Sequence, residues 1–197
     1  MIVGVLALQG DFREHIAMVA ELGVAATEVR TADELAAVDA LIVPGGESTT
    51  IGRLANLYGL IEPIRERADA GMPMLGTCAG MIFLAATTVV HDQPQVGVLD
   101  ATVERNAFGR QVDSFEADLE VVGLAEPMHA VFIRAPWIAK VGADVEVLAE
   151  VVGPDGDRHP VFVRQGRILA SSFHPELTGD TRLHRMLIDL IDEPGEG

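Results

Sequence analysis

The sequence is poor in cysteine, in basic residues and in long hydrophobic runs. Cys78 is the single cysteine, so an internal disulfide is excluded and nothing points to an oxidising compartment. No stretch approaches the roughly 18 consecutive apolar residues that a membrane-spanning helix needs. The N-terminal segment MIVGVLALQGD has no basic start, so it predicts a buried strand and not a signal peptide. These absences favour a soluble, cytoplasmic protein.

Basic residues are outnumbered by acidic ones, 14 to 30, and the formal net charge is −16. A chain this acidic repels phosphate backbones and anionic lipids, so neither nucleic acid nor a membrane is expected as a partner. Basic patches on a partner protein are compatible with this charge. Apolar residues make up 49% of the 197 residues, which is enough for a real core and argues against a disordered chain. The length fits one domain or two small ones.

Strand-like and helix-like segments alternate in the first half of the chain. Apolar runs predict strands, and segments with apolar residues at helical spacing follow them. The alternation predicts a parallel sheet with right-handed crossovers, that is, an α/β fold. The predicted strands are Ile2–Leu8, Ala25–Val29, Ala40–Val43 and Met74–Leu75. The predicted helices are one that Asp11 could cap and Gly23 stops, then Ala32–Val38, Thr49–Leu57, Ile61–Ala70, and an apolar helix that follows the segment Gly76-Thr77-Cys78-Ala79-Gly80 and runs to about Ala86.

Short strands follow one another in the second half, without a long helix between them. They are predicted at Ala101–Val103, Phe115–Val121, Ala130–Ile133, Val145–Val152, Val161–Arg164 and Arg167–Phe173, the last two joined in a hairpin by Gln165-Gly166. A final amphipathic helix is predicted at Thr181–Ile191. No linker separates the halves, so we predict one domain over residues 1–191. The acidic residues 192–197 are expected to form a disordered tail.

Cys78 lies in the segment Gly-Thr-Cys-Ala-Gly, between a predicted strand and a predicted helix. The flanking glycines allow a sharp turn, as in a nucleophile elbow with cysteine in place of serine. Such a turn projects the side chain at the carboxyl ends of the strands. The helix N-terminus beside the sulfur favours thiolate over thiol. A free cysteine is more often a small buried apolar residue, but this context favours a nucleophile.

A thiol nucleophile needs a base, and His174 is the best candidate among six histidines. It ends a predicted strand and begins the segment His174-Pro175-Glu176. Proline favours extended backbone at the residue before it, and residues i and i+2 of an extended segment point the same way. Glu176 can therefore hold one imidazole nitrogen while the other faces the thiol. The alternative is that this segment is only a turn that ends a strand.

The other histidines fit a catalytic role less well. His159-Pro160 lacks a carboxylate two residues on and is expected in a hairpin loop. His15 and His184 lie on predicted amphipathic helices and are expected to be surface or packing residues. No pair of cysteines or histidines has ligand spacing, so no metal site is predicted. No G-x-G-x-x-G follows a strand, and no cofactor is expected.

Acyl transfer also needs donors for an oxyanion. The backbone N–H of Ala79, just after the nucleophile, is the natural first donor. A second donor is expected from the segment Pro44-Gly45-Gly46-Glu47-Ser48, because its glycines let backbone amides face a cavity. The alternative is that this segment is only a turn, but a cysteine elbow on the neighbouring predicted strand favours the functional interpretation.

The motifs together resemble a known family. PGGES, GTCAG and HPE, in this order in about 200 residues, are similar to class I glutamine amidotransferases. Further segments resemble the glutaminase subunits of pyridoxal 5′-phosphate synthases, from Val3 to about Leu190. These segments are LALQGDFREH, PGGESTT, VERNAFGRQVDSFEADL, FIRAP and SFHPELTGD. The resemblance implies a flavodoxin-like three-layer sandwich, with a mostly parallel central sheet and an antiparallel C-terminal part.

The resemblance also implies the site. It makes Cys78 the nucleophile, completed by His174 and Glu176, and Gly46 the second oxyanion donor beside Ala79. It implies that L-glutamine is held by Gly46, Glu47, Ser48, Arg105, Ile133 and Arg134. Glutamine carries an α-ammonium and an α-carboxylate, so a site for it needs charges of both signs. Without the resemblance, Arg105 and Arg134 could equally form surface salt bridges. Arg110, Gln111 and Ser114 are weaker candidates for a partner surface or for site closure.

The implied activity is hydrolysis of glutamine through a cysteine thioester. The resemblance implies that the ammonia is channelled to a (β/α)₈-barrel synthase subunit, which combines it with a pentose phosphate and glyceraldehyde 3-phosphate. It implies twelve glutaminases on a dodecameric core. We expect the isolated chain to be nearly inactive, with Gly45-Gly46 as the switch of an unassembled oxyanion hole.

Two alternatives remain at this point. The fold could serve another ammonia acceptor or act as a free γ-glutamyl hydrolase, or the chain could be a non-catalytic binding subunit.

Overall fold

The computed structural model describes residues 1–89, 93–105, 107–108 and 114–193. The strands are β1 (Ile2–Leu6), β2 (Ala25–Val29), β3 (Ala40–Val43), β4 (Met74–Thr77), β5 (Ala85–Thr88), β6 (Leu99–Glu104), β7 (Ser114–Leu119), β8 (Met128–Ile133), β9 (Trp137–Val141), β10 (Glu146–Val152), β11 (Arg158–Gln165) and β12 (Ile168–Ser171). The α-helices are α1 (Phe12–Glu21), α2 (Ala32–Ala36), α3 (Ser48–Leu57), α4 (Ile61–Asp69), α5 (Ala79–Leu84) and α6 (Arg182–Asp192), and a 3₁₀ turn spans Pro175–Leu177.

A seven-stranded sheet forms the centre of the molecule, in the order β10-β11-β12-β4-β3-β1-β2. The five strands from β12 to β2 are parallel to their neighbours, whereas β10, β11 and β12 pair antiparallel. Strand β12 of the second half therefore lies directly beside β4 of the first half. The predicted mostly parallel sheet with an antiparallel C-terminal part is confirmed.

Both faces of the central sheet are covered. Strand β3 alternates between them, since Leu41 and Val43 belong to one apolar cluster and Ile42 to the other. The first cluster joins the sheet to helices α2 to α5 and to the small sheet β5-β6-β9. The second joins it to α1, α6 and the β7-β8 hairpin. Two covered faces explain why the central strands are continuous apolar runs without polar alternation.

Local signals set several element boundaries. The Thr31 hydroxyl accepts a hydrogen bond from the N–H of Glu34, and the Glu34 carboxylate accepts one from the N–H of Thr31. This capping box starts α2. Glu47 accepts the N–H groups of Thr49 and Thr50 and so caps α3. The predicted hairpin between β11 and β12 is present, with Gly166 at a φ of 55°.

Several local predictions are wrong. The helix after Cys78 stops at Leu84 and not near Ala86, because residues Ala85–Thr88 pair with β6. Strand β9 was not predicted at all. Asp11 occupies the N-cap position of α1 but makes no side-chain cap bond.

The last helix and the tail also differ from the prediction. Helix α6 extends to Asp192, one residue into the segment expected to be disordered. The guanidinium of Arg167 bonds to the carbonyls of Leu190, Ile191 and Glu193, which satisfies the end of the helix. Residues 194–197 of the expected tail lie outside the described residues.

Candidate active site

Four parallel strands of the central sheet end at one edge and deliver the site. Gln9 and Asp11 follow β1, the segment 45–48 follows β3, Cys78 follows β4, and His174 follows β12. Open α/β sheets place their sites at the carboxyl ends of the strands, and these four ends meet in one cavity of about 340 Å³. Its lining residues are Gln9, Asp11, Gly46, Glu47, Ser48, Cys78, Ala79, Ile82, Arg105, Ile133, Arg134, Pro136 and His174.

Cys78 is the N-cap residue of α5 and has strained backbone, with φ at 48° and ψ at −103°. Its N–H donates to the carbonyl of Ser171 on β12, at 2.7 Å. A Cβ on Gly80 would overlap the carbonyl oxygen of Val43, and one on Gly76 would come within 2.8 Å of the Gly80 carbonyl. Both flanking glycines are therefore required for the turn. The side chain is 7% exposed and opens into the cavity.

His174 is held between Cys78 and Glu176. Its Nδ1 lies 2.6 Å from Oε1 of Glu176, whose carboxylate is fully buried. Since Nδ1 is engaged by Glu176, Nε2 is the ring nitrogen available to Cys78, which lines the same cavity. The backbone N–H of His174 donates to Val131 on β8 at 2.9 Å, which fixes the segment. The structure thus brings together the three side chains that the sequence selected.

The protonation of His174 follows from these contacts. Burial by itself lowers the pKa of this imidazole, but the hydrogen bonds to Cys78 and Glu176 and their charges more than offset it and raise the pKa to about 10. His174 is therefore an imidazolium near neutral pH.

Asp11, His174 and Glu176 each offer one ligand atom within 4.8 Å of the others, a spacing that could hold a metal ion. However, Nδ1 of His174 lies 2.6 Å from Glu176 and 3.7 Å from Asp11. A protonated nitrogen at this hydrogen-bond distance has no lone pair for a metal. The arrangement therefore fits a proton-bonded pair better than a metal centre.

Charges of both signs face the cavity. Arg105 donates from one guanidinium nitrogen to Thr49 and Gln93, each at 3.1 Å, and from the other to Glu47 at 3.2 Å. Burial raises the pKa of Glu47, but bonds from the Thr50 hydroxyl and from the Thr49 and Thr50 N–H groups outweigh it and lower the pKa to about 2. Glu47 therefore stays ionised.

Ile133 and Arg134, at the end of β8, also line the cavity. Arg134 has a φ of 43°, and among the described residues only it and Cys78 are non-glycine residues with positive φ. Both strained positions lie in the same cavity. Strain of this kind concentrates at functional sites.

The loop after β1 supports the glycine segment after β3. Oε1 of Gln9 accepts the N–H of Glu47 at 2.7 Å, and Gly10 fits so closely that a Cβ there would overlap the carbonyl oxygen of Gly45. A Cβ on Gly46 would come within 3.1 Å of the side-chain amide carbon of Gln9. Sequence reasoning did not assign Gln9 to the site, although a polar residue directly after a central strand is a usable signal.

Ala79 and Gly46, the expected oxyanion donors, both line the cavity that Cys78 opens into. Ala79 is the first residue of α5, where backbone N–H groups have no partner within the helix. Of the weaker candidates, Ser114 begins β7, whereas Arg110 and Gln111 lie outside the described residues.

Two histidines that sequence reasoning set aside lie behind the site. His15 and His184 are fully buried, and Nδ1 of His15 forms a 2.8 Å hydrogen bond with Nε2 of His184. Nε2 of His15 lies 3.4 Å from Oε2 of Glu176. Of the two expected places for these histidines, the surface is wrong, and both lie in the packed interior. His159 is on β11 and not in a loop, and its ring stacks on Trp137 at 3.6 Å.

Among the described residues, none of the helices is both long and apolar enough to cross a bilayer.

Comparison with known proteins places these observations in context. A sequence model of the SNO glutamine amidotransferase family matches residues 5–193. The chain is 58% identical to a pyridoxal 5′-phosphate synthase subunit PdxT of Frankia casuarinae, over 99% of this chain and 97% of that one. It is 60% identical to the subunit of the same name in Thermus thermophilus, over 96% and 97%. A crystal structure described as a glutamine amidotransferase superposes with a TM-score of 0.91 at 57% identity, covering 98% of this chain and all of that one.

Proposed function

The chain belongs to the SNO glutamine amidotransferase family, and on that premise we propose that it hydrolyses L-glutamine to L-glutamate and ammonia for pyridoxal 5′-phosphate synthesis. The observation that carries this proposal is the buried Cys78–His174–Glu176 arrangement at the edge of an amino-acid-sized cavity. The cavity has the volume range of small-molecule sites.

Cys78 is the nucleophile of the proposed reaction. Its thiolate sulfur attacks the carbon of the glutamine side-chain amide, and the amide oxygen becomes an oxyanion. His174 gives its Nε2 proton to the leaving nitrogen, so that ammonia departs and a γ-glutamyl thioester remains. His174 then takes a proton from water, the hydroxide attacks the thioester carbon, and glutamate leaves with the thiolate restored. Glu176 keeps the imidazole oriented and stabilises its charge through Nδ1.

The oxyanion is stabilised by the backbone N–H groups of Ala79 and Gly46. The position of Ala79 at the N-terminus of α5 supports its part, because free N–H groups and the helix dipole both favour negative charge there. Gly45-Gly46 is the part that we propose to change on activation. A glycine pair can reorient its peptide at low cost, whereas the elbow at Cys78 is fixed by contacts on both sides.

The charged ends of glutamine are recognised by the residues at the mouth of the cavity. The ionised Glu47 suits the α-ammonium, and the guanidinium groups of Arg105 and Arg134 suit the α-carboxylate. Gly46, Ser48 and Ile133 complete the proposed contacts. The presence of both charge signs within one small cavity supports an amino acid as the substrate.

The ammonia passes to a partner chain. The curated relatives are named as subunits of pyridoxal 5′-phosphate synthase, which supports a synthase subunit as the acceptor. We propose that this partner is the (β/α)₈-barrel subunit, in a 12:12 complex, and that ammonia is channelled between the two chains. Pyridoxal 5′-phosphate is then a product of the assembly, and the glutaminase reaction itself uses no cofactor.

Ammonia release from glutamine, measured with and without the synthase subunit, tests the proposal. We expect release with the partner, little release from the isolated chain, and none from a Cys78→Ala variant. Free ammonia supplied to the complex should restore product formation with Cys78→Ala, because it bypasses the glutaminase. Full glutamine-dependent product formation by Cys78→Ala would contradict the proposal. Equal turnover with and without the partner would contradict only the switch at Gly45-Gly46.

A further inference from the structure

A chain of buried polar groups continues from the active site into the core, beyond Glu176. Oε1 of Glu176 holds His174, whereas its buried Oε2 has no hydrogen-bond partner within strict geometry in the described part of the chain. The nitrogen that faces Oε2 is Nε2 of His15, at 3.4 Å, which also lies 3.1 Å from the hydroxyl of Thr77. Behind it, Nδ1 of His15 meets Nε2 of His184 at 2.8 Å. None of these outer groups lines the cavity.

Both outer rings are neutral. Burial, followed by electrostatic repulsion that protonated His15 would meet from His184 and His174, lowers the pKa of His15 well below its usual value. Burial also lowers the pKa of His184 to about 4, and the carboxylate of Asp180 offsets this only in part. A neutral imidazole carries one N–H, so each ring donates once and accepts once. The donor and acceptor in each hydrogen bond from Glu176 through His15 to His184 are then set by which nitrogen of His15 carries the proton.

The carboxylate of Glu176 decides that placement. With the proton on Nδ1, His15 Nε2 could accept a hydrogen bond from the Thr77 hydroxyl, but its lone pair would also face the carboxylate, and Oε2 of Glu176 would gain no donor. With the proton on Nε2, His15 donates toward Oε2, while its Nδ1 accepts from the Nε2–H of His184. A buried carboxylate oxygen without a donor is costly, which favours the second arrangement. Nδ1 of His184, which has no partner in the described structure, is then a bare acceptor and not a stranded donor.

We propose that His15 is a positioning residue, which holds the Glu176 carboxylate in line with His174 through its Nε2–H, and that His184 fixes the tautomer of His15. The proposal rests on the proposed function, since His15 acts only through the Glu176–His174 pair. Elements far apart in sequence are thereby tied to the catalytic geometry, because His15 lies on α1, His184 on α6 and Glu176 in the turn after β12.

Two substitutions of His15 separate positioning from packing. His15→Leu keeps an apolar side chain of similar size but removes the donor, and we expect kcat for glutamine to fall about 10- to 100-fold with KM nearly unchanged. His15→Gln places an amide N–H near the position of Nε2 and should recover most of kcat. The matched control is Val19→Ala, one turn along the same buried face of α1, which should lower the melting temperature and leave kcat intact.

The assay uses the full chain with its synthase partner, and rates are expressed per Cys78 titrated by an alkylating glutamine analogue. If the wild type is active and a folded His15→Leu variant has the same kcat for glutamine, the positioning role of His15 is overturned and the proposed function stands. A wild type that releases no ammonia from glutamine would overturn the proposed function instead.

A measurement without turnover tests the tautomer directly. In protein labelled with ¹⁵N-histidine, we expect the imidazole shifts of His15 and His184 to report N–H at Nε2 and a bare Nδ1 in both rings. Assignment follows from the signals lost in His15→Gln and His184→Gln. An Nδ1–H tautomer at His15, or a His15 imidazolium at neutral pH, would overturn the proposal even if the variants failed to fold.

Discussion

Cys78 has a strained backbone conformation, and the strain places its side chain in the cavity. A φ of 48° in a residue with a Cβ costs about 1–3 kcal/mol, which the surrounding contacts have to offset. The N–H bond to Ser171 and the two glycines with no room for a Cβ supply that support. This conformation places the sulfur at the N-terminus of α5 and in the cavity that His174 also lines.

Gly45 packs closely against the imidazole of His174. A Cβ at this position would overlap Cε1 of His174 and come within 2.9 Å of Nδ1, so Gly45→Ala must push the ring away from its partners. We expect glutamine turnover to fall at least tenfold, since small displacements of a catalytic group have large kinetic effects. Steady-state kinetics of the complex give the result. Gly156→Ala is the control: a Cβ there meets nothing within 4 Å, and although the φ of 87° makes alanine cost some stability, the loop is not part of the site and activity should be kept. Wild-type kinetics in Gly45→Ala would contradict the packing described here.

The pKa of His174 predicts an unusually alkaline limit of activity. The imidazolium has to give a proton to the leaving ammonia, and its hydrogen bonds raise its pKa to about 10. We therefore expect kcat/KM for glutamine to hold from neutral pH to about 9 and to fall as the pH passes about 10. Glu176→Gln removes one of the interactions that raise the pKa, so its residual activity should fall at lower pH. A wild-type decline centred near 6.5, the ordinary value for histidine, would show that the ion pair does not form.

At the scale of elements, helices α1 and α6 are linked to the site by buried histidines as well as by apolar packing. His184 is neutral in the folded chain, with its pKa lowered to about 4, and has an ordinary pKa near 6.5 when unfolded. Above pH 6.5 both states are neutral and the native contacts contribute fully. As the pH falls from 6.5 through about 4, the unfolded chain binds the proton first, and stability is lost.

This linkage gives a measurable slope. Between pH 7 and 4 the wild type should lose about 3 kcal/mol more stability than His184→Leu, in which the titrating group is absent. Denaturant unfolding at several pH values measures the difference. His129→Gln serves as the control, because His129 is exposed and paired with Glu116 and Asp118, which raises its pKa instead of lowering it. Parallel acid slopes for the wild type and His184→Leu would contradict the burial of a neutral ring.

The sequence predicted elements well where the pattern was local. Ala25–Val29 and Ala40–Val43 were placed at their observed bounds, because Gly23 marks the start of the first and the second is an apolar run that Pro44 closes. Strand β5 was missed because its residues continue an apolar helix without a turn signal. Strand β9 was missed because β6, its neighbour in the small sheet, lies more than 30 residues away, so nothing local marks it.

The same distinction holds for the site. Cys78 with its glycines, and His174 with Glu176, are short motifs whose geometry follows from neighbouring residues. The pair of His15 and His184 is separated by 169 positions, and each residue alone is an ordinary histidine on a helix. Their contact depends on how α1 and α6 pack against the sheet, which periodicity does not specify. Gln9 lies between these cases, since its position after β1 was visible but its bond to Glu47 was not.

At the scale of the whole molecule, strand order joins the two halves of the chain. Strand β12 lies between β4 and β11, so the first half cannot complete its sheet without the second. We propose that residues 1–191 form one cooperative unit, and calorimetry should show a single transition whose van 't Hoff and calorimetric enthalpies agree. Two resolved transitions, or a stable fragment lacking β10 to β12, would contradict this single-domain organisation.

The proposed mechanism requires a covalent bond between glutamine and Cys78. Full chain with its synthase partner should be mixed with glutamine, quenched in acid within one turnover and digested for mass spectrometry. We predict a γ-glutamyl group on the sulfur of the peptide that contains Cys78, and no adduct in a His174→Ala variant quenched at the same time. Glutamate formation without any adduct on Cys78, or with an adduct on another residue, would contradict the central claim.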